Sequence, residues 1–120
     1  AIDGARSISA HVSHSYLDGA CLYFTFVGTT STREINSAST DEHEALYLAI
    51  WNAAQRAALE AGGNLSHHHG VGLNRGRFMR EAMGSAFDVL VAMKQALDPN
   101  DLLNPGKLGL PTTRGKVKYS

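Results

Sequence analysis

Residues 7–27 alternate apolar and polar side chains around an Asp18-Gly19 pair, and this pattern restricts the fold more than any other feature of the chain. In SISAHVSHSY, Ile8, Ala10 and Val12 alternate with Ser7, Ser9, His11 and Ser13. In ACLYFTFVG, Ala20, Leu22, Phe24 and Phe26 alternate with Cys21, Tyr23, Thr25 and Val27. Successive side chains of a strand point to opposite faces, so a period of two marks a half-buried strand. Asp-Gly between two such runs signals a hairpin. A three-residue loop at 17–19 pairs Tyr16 with Ala20, Val12 with Phe24 and Ala10 with Phe26, which gathers the apolar residues on one face. A two-residue loop sets the first strand's apolar residues beside Tyr23 and Thr25. One residue of slip moves every side chain to the other face, so the three-residue loop is expected. Tyr23 then lies off the core face, near His11 and Ser13.

The periodicity then changes. TTSTREINSAST is polar and reads as a loop. A helix is expected over 41–61, with Ser39 and Glu42 at capping-box spacing. Leu46, Ile50, Ala53 and Ala57 fall on one stripe, widened by Trp51 and Ala54. Gly62-Gly63 stops the helix. The next stretch reads as strand-like at 64–67. A second helical region is expected over 75–97, divided at Gly84, with Ser85 capping its second half. Ala86, Leu90, Met93 and Leu97 form its expected buried stripe. Asp98-Pro99 ends it, because a residue before proline avoids helical geometry. NDLLNPGKLGLP reads as an irregular tail that turns at Asn104-Pro105-Gly106. This order predicts an α+β fold, an antiparallel hairpin sheet packed on helices with a C-terminal helical tail.

The chain has 120 residues, 43% of them hydrophobic, enough to build a core. Eleven basic residues balance eleven acidic ones, so there is no general attraction to nucleic acid. The mildly basic TTRGKVKYS reads as a solvated end. A lone cysteine, Cys21, cannot form an internal disulfide, which points to a reducing compartment and a cytoplasmic location, with peripheral membrane association left open. No apolar run approaches the roughly 20 residues of a membrane span. AIDGARSISA has neither an initiator methionine nor a signal-peptide pattern, so a processed or excised piece of a longer polypeptide is expected.

The candidate chemistry concentrates in NLSHHHGVGLNR, residues 64–75. Three adjacent histidines in extended backbone would alternate faces and could not all reach one metal ion. The helical zinc spacing of two histidines four apart is absent, so no metal site is expected. Two readings of His67, His68 and His69 stay open: loop histidines without a role, or an acid/base and hydrogen-bonding edge working near neutral pH. Gly70, Gly72 and Gly76 are spaced one residue too long for a dinucleotide-binding loop, although glycines let backbone approach a ligand. Arg75 and Arg77 either hold a phosphate or carboxylate near a helix start or are solvated charges. Tyr23 is either ordinary strand packing or a functional phenol. Cys21 reads as a small half-buried hydrophobe, and His11, His14 and His43 as polar-face or capping residues.

In combination, several of these stretches resemble a known family. SHHHGVG followed by an arginine, then LDPNDLLNPGKL after a long helix, looks like the C-terminal end of the FAD-linked oxidases of the vanillyl-alcohol oxidase superfamily. Within that superfamily, SHSYLDGACLYFTF together with GGNLSHHHGVG resembles the alkyl-dihydroxyacetonephosphate synthase branch. The likeness runs from about residue 7 to 108. The 2-hydroxy-acid dehydrogenase branch, acting on D-lactate or glycolate, typically carries Glu-His-Gly at the histidine block.

The resemblance implies that residues 1–120 are the C-terminal cap and substrate region of a larger flavoenzyme whose FAD-binding domain is absent from this chain. Residues 7–74 would form the sheet and helix of a ferredoxin-like cap, and 75–120 the C-terminal helices and tail. The implied activity exchanges the acyl group of acyl-dihydroxyacetonephosphate for a fatty alcohol in ether-lipid synthesis, without net redox. The alternatives are a fragment of an FAD-dependent 2-hydroxy-acid dehydrogenase or oxidase, and a stand-alone α+β binding module. The family's catalytic tyrosine matches Tyr23, and its active-site histidines match His67, His68 and His69. His68, His69 and Asn104 are implied to contact FAD, and Arg75 to bind a lipid or dihydroxyacetone-phosphate-type substrate. A lysine found two residues before this arginine in the animal enzymes is Leu73 here. The isolated chain, lacking a pyrophosphate-binding loop, is expected to be inactive and not to hold FAD. A homodimer is among the arrangements open to the whole enzyme.

Overall fold

The computed structural model describes residues 1–30 and 37–115. It has α+β architecture: strands β1 (Ala5–Tyr16) and β2 (Gly19–Gly28), then helices α1 (Ser37–Glu60), α2 (Met79–Met83) and α3 (Ala86–Leu97), with short 3-10 turns at Gly76–Phe78 and Lys107–Gly109. The chain divides into two compact units, one ending at Ala54 and the other starting at Gln55.

The first unit is built on the hairpin. The strands pair antiparallel, and the loop has two residues rather than the expected three: Tyr16 pairs with Gly19 and Ser15 with Ala20. A β-bulge between Val12 and His14 leaves Ser13 as the extra residue. Beyond it Val12 pairs with Leu22, Ala10 with Phe24 and Ile8 with Phe26. The bulge resets the phase, so a two-residue loop and a common apolar face coexist. Phe24 and Phe26 hold their ring centroids 6.3 Å apart.

The open end of the hairpin rests on α1. The Thr29 N–H donates to the Gly4 carbonyl at 2.8 Å. A Cβ on Gly28 would stand 3.1 Å from both Leu46 Cδ2 and Ile50 Cδ1. The absence of that carbon lets the helix approach the strands, and it seats two residues of the expected stripe. Ala53 and Ala57 are exposed instead; Trp51, Ala54 and Ala58 are half-buried. Tyr47 and Trp51 stack one turn apart, 5.8 Å between centroids. The helix starts at Ser37, ahead of the proposed Ser39 cap, so Ser39 lies inside it. The Ser39 side chain and residues 31–36 of the expected loop fall outside the described residues. At the other end Gly62 has φ +77°. Gly62 N–H donates to Leu59 O and Gly63 N–H to Ala58 O, the paired bonds of a Schellman termination.

The second unit has its core in Leu65, Phe78 and Phe87, which are 5%, 2% and 4% exposed. The Arg77 guanidinium lies over the Phe78 ring at 5.1 Å and Arg80 over Phe87 at 4.8 Å, so long cationic side chains cover the aromatic core. Gly84, at φ +54°, separates α2 from α3 as expected. Ser85 sits at the start of α3 but makes no side-chain cap bond. The expected buried stripe of α3 is displaced: Met93 is 53% and Leu97 79% exposed, and Ala86 is also exposed. The inward face is Phe87, Leu90, Val91 and Lys94. Phe87 sets this orientation, and Lys94 is drawn inward by carboxylates that follow the helix.

Candidate functional site

Tyr23 stands on β2 opposite His11, with ring centroids 5.4 Å apart and planes inclined by 23°. It is 45% exposed, on the face away from Phe24 and Phe26. That is the placement anticipated from the sequence, reached through the bulge rather than through a longer loop. Cys21 is a free, half-buried thiol.

In the second unit the histidines sit on a loop closed by its own hydrogen bonds. Leu65 anchors it in the core, and the Leu65 N–H donates to Asn64 Oδ1 at 2.8 Å. Ser66 Oγ donates to the Gly70 carbonyl at 2.8 Å, bridging the residues that flank the three histidines. His69 N–H donates to the His67 carbonyl at 2.7 Å, a three-residue turn centred on His68, whose φ is +58°. The expected strand at 64–67 is not formed, because this reversal removes extended geometry. The opposite-faces argument for consecutive histidines therefore does not apply. The His67 and His68 rings come together, 3.9 Å between centroids and inclined by 60°. All three imidazoles are exposed.

Arg75 closes the loop from its far end, its Nε donating to the Leu65 carbonyl at 3.1 Å. Arg77 braces the same segment, donating from Nε to Asn74 O at 3.2 Å and from Nη2 to Asn74 Oδ1 at 3.1 Å.

Asn104 opens the anticipated Asn-Pro-Gly turn, with the Lys107 N–H donating to its carbonyl at 3.2 Å. It is exposed, with φ +49°. Beneath it lies a group that sequence reasoning passed over. Lys94 Nζ donates to Asp98 Oδ2 and, at 2.7 Å, to the Leu103 carbonyl, and stands 3.6 Å from Asp101 Oδ1. Asp98 also accepts the N–H groups of Leu102 at 2.9 Å and Leu103 at 2.8 Å. The hydrogen bond from Lys94, then those two N–H groups, hold the Asp98 carboxyl down at about 2 against the opposing effect of burial. Asp101 Oδ2 accepts from the Thr112 hydroxyl at 2.5 Å and the Thr113 N–H at 2.9 Å, and these bonds lower its pKa as well. The legible signal was the i, i+4 spacing of Lys94 and Asp98 at a helix end.

The chain belongs to the family of FAD linked oxidases, C-terminal domain, which matches residues 2–108. More particularly, it is similar to alkyldihydroxyacetonephosphate synthases: 37% identical over 103 residues to that of Trypanosoma brucei brucei (84% of this chain, 15% of the relative), and 35% identical over 108 residues to that of Dictyostelium discoideum (89% and 16%). It is also similar to a probable mitochondrial D-lactate dehydrogenase of Danio rerio, 37% identical over 70 residues (58% and 14%). The chain thus spans about one sixth or less of the length of these relatives. No solved structure matches. The family is one of FAD-linked flavoproteins, and no helix among the described residues is long and apolar enough to cross a membrane.

Proposed function

We propose that this chain is the C-terminal cap and substrate region of a flavoenzyme that exchanges the acyl group of acyl-dihydroxyacetonephosphate for a fatty alcohol. The observation that carries this reading is its 35–37% identity to two alkyldihydroxyacetonephosphate synthases over 84–89% of its length, with Tyr23 and the three histidines inside the matched region. The likeness to the D-lactate dehydrogenase covers only 58% of the chain. A hydroxy-acid dehydrogenase is the second reading, supported by that likeness.

The FAD-binding domain would be supplied by other polypeptide. Ile8, Val12, Leu22 and Phe24 are each 45% or more exposed, and a hairpin with that much apolar surface is better suited to burial against further chain than to water. Asn104 fits a place beside the cofactor: its amide is exposed, carries both a donor and an acceptor, and has no side-chain hydrogen bond among the described residues. His68, His69 and Asn104 would hold FAD, which would supply an electrophilic centre for the exchange. The chain's own residues handle protons and position. Tyr23 transfers the proton exchanged at the reacting carbon through its phenol oxygen. His67, His68 and His69 orient cofactor and substrate by hydrogen bonds, and their turn sets the direction in which each imidazole leaves the backbone. Arg75 binds the anionic substrate in addition to closing the loop.

Tyr23→Phe in the full-length enzyme tests the assignment. It removes only the hydroxyl, so turnover should fall on the order of 10²-fold or more, with flavin content unchanged. Full activity in that variant removes Tyr23 from the chemistry. His68→Ala should alter the flavin absorption spectrum as well as the rate.

A further inference from the structure

The segment after α3 holds an unusual run of left-handed backbone. Asp101, Asn104 and Leu108 have φ of +51°, +49° and +58°, and Gly106 and Gly109 have +69° and +71°. Non-glycine residues adopt this region at a cost, and persist there when their surroundings over-determine them. The Lys94 cluster bonds the part of this segment that precedes Asn104. The Lys94 side chain is only 16% exposed, and its ammonium binds the Leu103 carbonyl, the peptide group that leads directly into Asn104. Asp98, held by the same ammonium, takes the Leu102 and Leu103 N–H groups. Both faces of the Leu103 backbone are therefore fixed from within, one by Lys94 and the other by Asp98. Asp101 clamps the chain further on through Thr112 and Thr113, while Arg114 donates to the Asp101 carbonyl at 3.1 Å and the Asn100 carbonyl at 3.2 Å. The polar side chains of this cluster are turned inward, whereas Asn104 is presented outward.

We infer that Lys94 is a positioning residue for the cofactor contact of Asn104: by holding the Leu103 carbonyl it sets the strained backbone that presents the Asn104 amide. The inference rests on the reading that Asn104 faces the flavin. A side chain held in one orientation binds with the full strength of its contact, whereas one that samples several loses affinity in proportion to the fraction correctly placed. Lys94 has no need to touch the cofactor for its loss to be felt there.

A coupled set of variants in the full-length, FAD-loaded enzyme tests it, read by the visible flavin absorption spectrum and the dissociation constant for FAD. Lys94→Met alone would leave two buried carboxylates facing each other, so it is paired with Asp101→Asn. The parent cluster of one cation and two anions carries a net −1, and the paired variant also carries −1. Asp101→Asn alone is the reference. Asn104→Ala should shift the flavin spectrum and weaken FAD binding; if it does neither, the placement of Asn104 fails, and the inference with it. Given that shift, the paired variant should weaken FAD binding about tenfold relative to Asp101→Asn, as expected when about a tenth of the molecules present the amide correctly, and should move the spectrum in the same direction. Adding Asn104→Ala to the paired variant should then cost much less than it does in the Asp101→Asn reference, because both changes act on one contact. A paired variant with lowered thermal stability but unaltered flavin properties, or effects that multiply independently, would overturn the positioning role while leaving Asn104 in place.

Discussion

Arg75 Nε donates to the carbonyl of Leu65, ten residues earlier, at 3.1 Å, and this bond ties both ends of the histidine loop to the core of the second unit. Arg75→Ala leaves the carbonyl of a buried residue without that partner, and should cost about 1–3 kcal/mol of stability. Arg75→Lys should recover little, because an ammonium cannot present the in-plane N–H of a guanidinium. Urea denaturation measures the difference. A change within about 0.5 kcal/mol would reduce Arg75 to a surface charge.

Gly76 and Gly109 meet backbone to backbone. A Cβ on Gly76 would lie 2.7 Å from Gly109 N, and one on Gly109 would run into the Gly76 carbonyl oxygen. Gly109→Ala therefore combines left-handed strain of about 1–2 kcal/mol with an overpacking cost of about 1–3 kcal/mol. Gly70→Ala, where φ is +66° and nothing lies within 4 Å, should carry the strain alone. Thermal unfolding should rank Gly109→Ala well below Gly70→Ala; equal melting temperatures would show that the tail does not pack on this turn.

How much of this was legible depended on distance along the chain. The hairpin, the Gly62-Gly63 stop, the break at Gly84 and the Asn-Pro-Gly turn are set by local patterns, and each was readable. The register was not, because the bulge at Ser13 leaves no mark in an alternating sequence: the same residues fit a three-residue loop on a regular ladder. The α3 stripe was misplaced because Lys94 reads as a polar-face residue until Asp98 and Asp101 fold back beneath it. The histidine turn depends on a positive φ at His68 and on the Ser66–Gly70 bridge, neither of which periodicity encodes. Tyr23 and Asn104 were named from a family likeness, because neither an exposed strand phenol nor an exposed turn amide is marked by local pattern as functional.

Asp98 predicts an acid dependence. Its carboxyl sits at about 2, below an ordinary 3.8, through the Lys94 bond first and the Leu102 and Leu103 N–H groups next. A carboxylate depressed in the folded state stabilises it fully above the unfolded value, and that contribution is lost as pH falls toward the folded one. Stability should therefore decline between about pH 4 and pH 2 on account of this group. Asp98→Asn should be less stable than the parent at neutral pH and should show a shallower decline across that window. Parallel curves for the two proteins would detach Asp98 from the acid response.

The redox balance of the full-length, FAD-loaded enzyme bears most directly on the proposed function. Incubated with acyl-dihydroxyacetonephosphate and an isotopically labelled fatty alcohol, without any electron acceptor, it should release one fatty acid for each labelled ether formed. Mass spectrometry follows both products, and no net reduction of the flavin should accumulate. An enzyme that forms no ether under these conditions, but reduces a dye when given D-lactate or glycolate, would contradict the exchange reading and place the protein with the hydroxy-acid dehydrogenases.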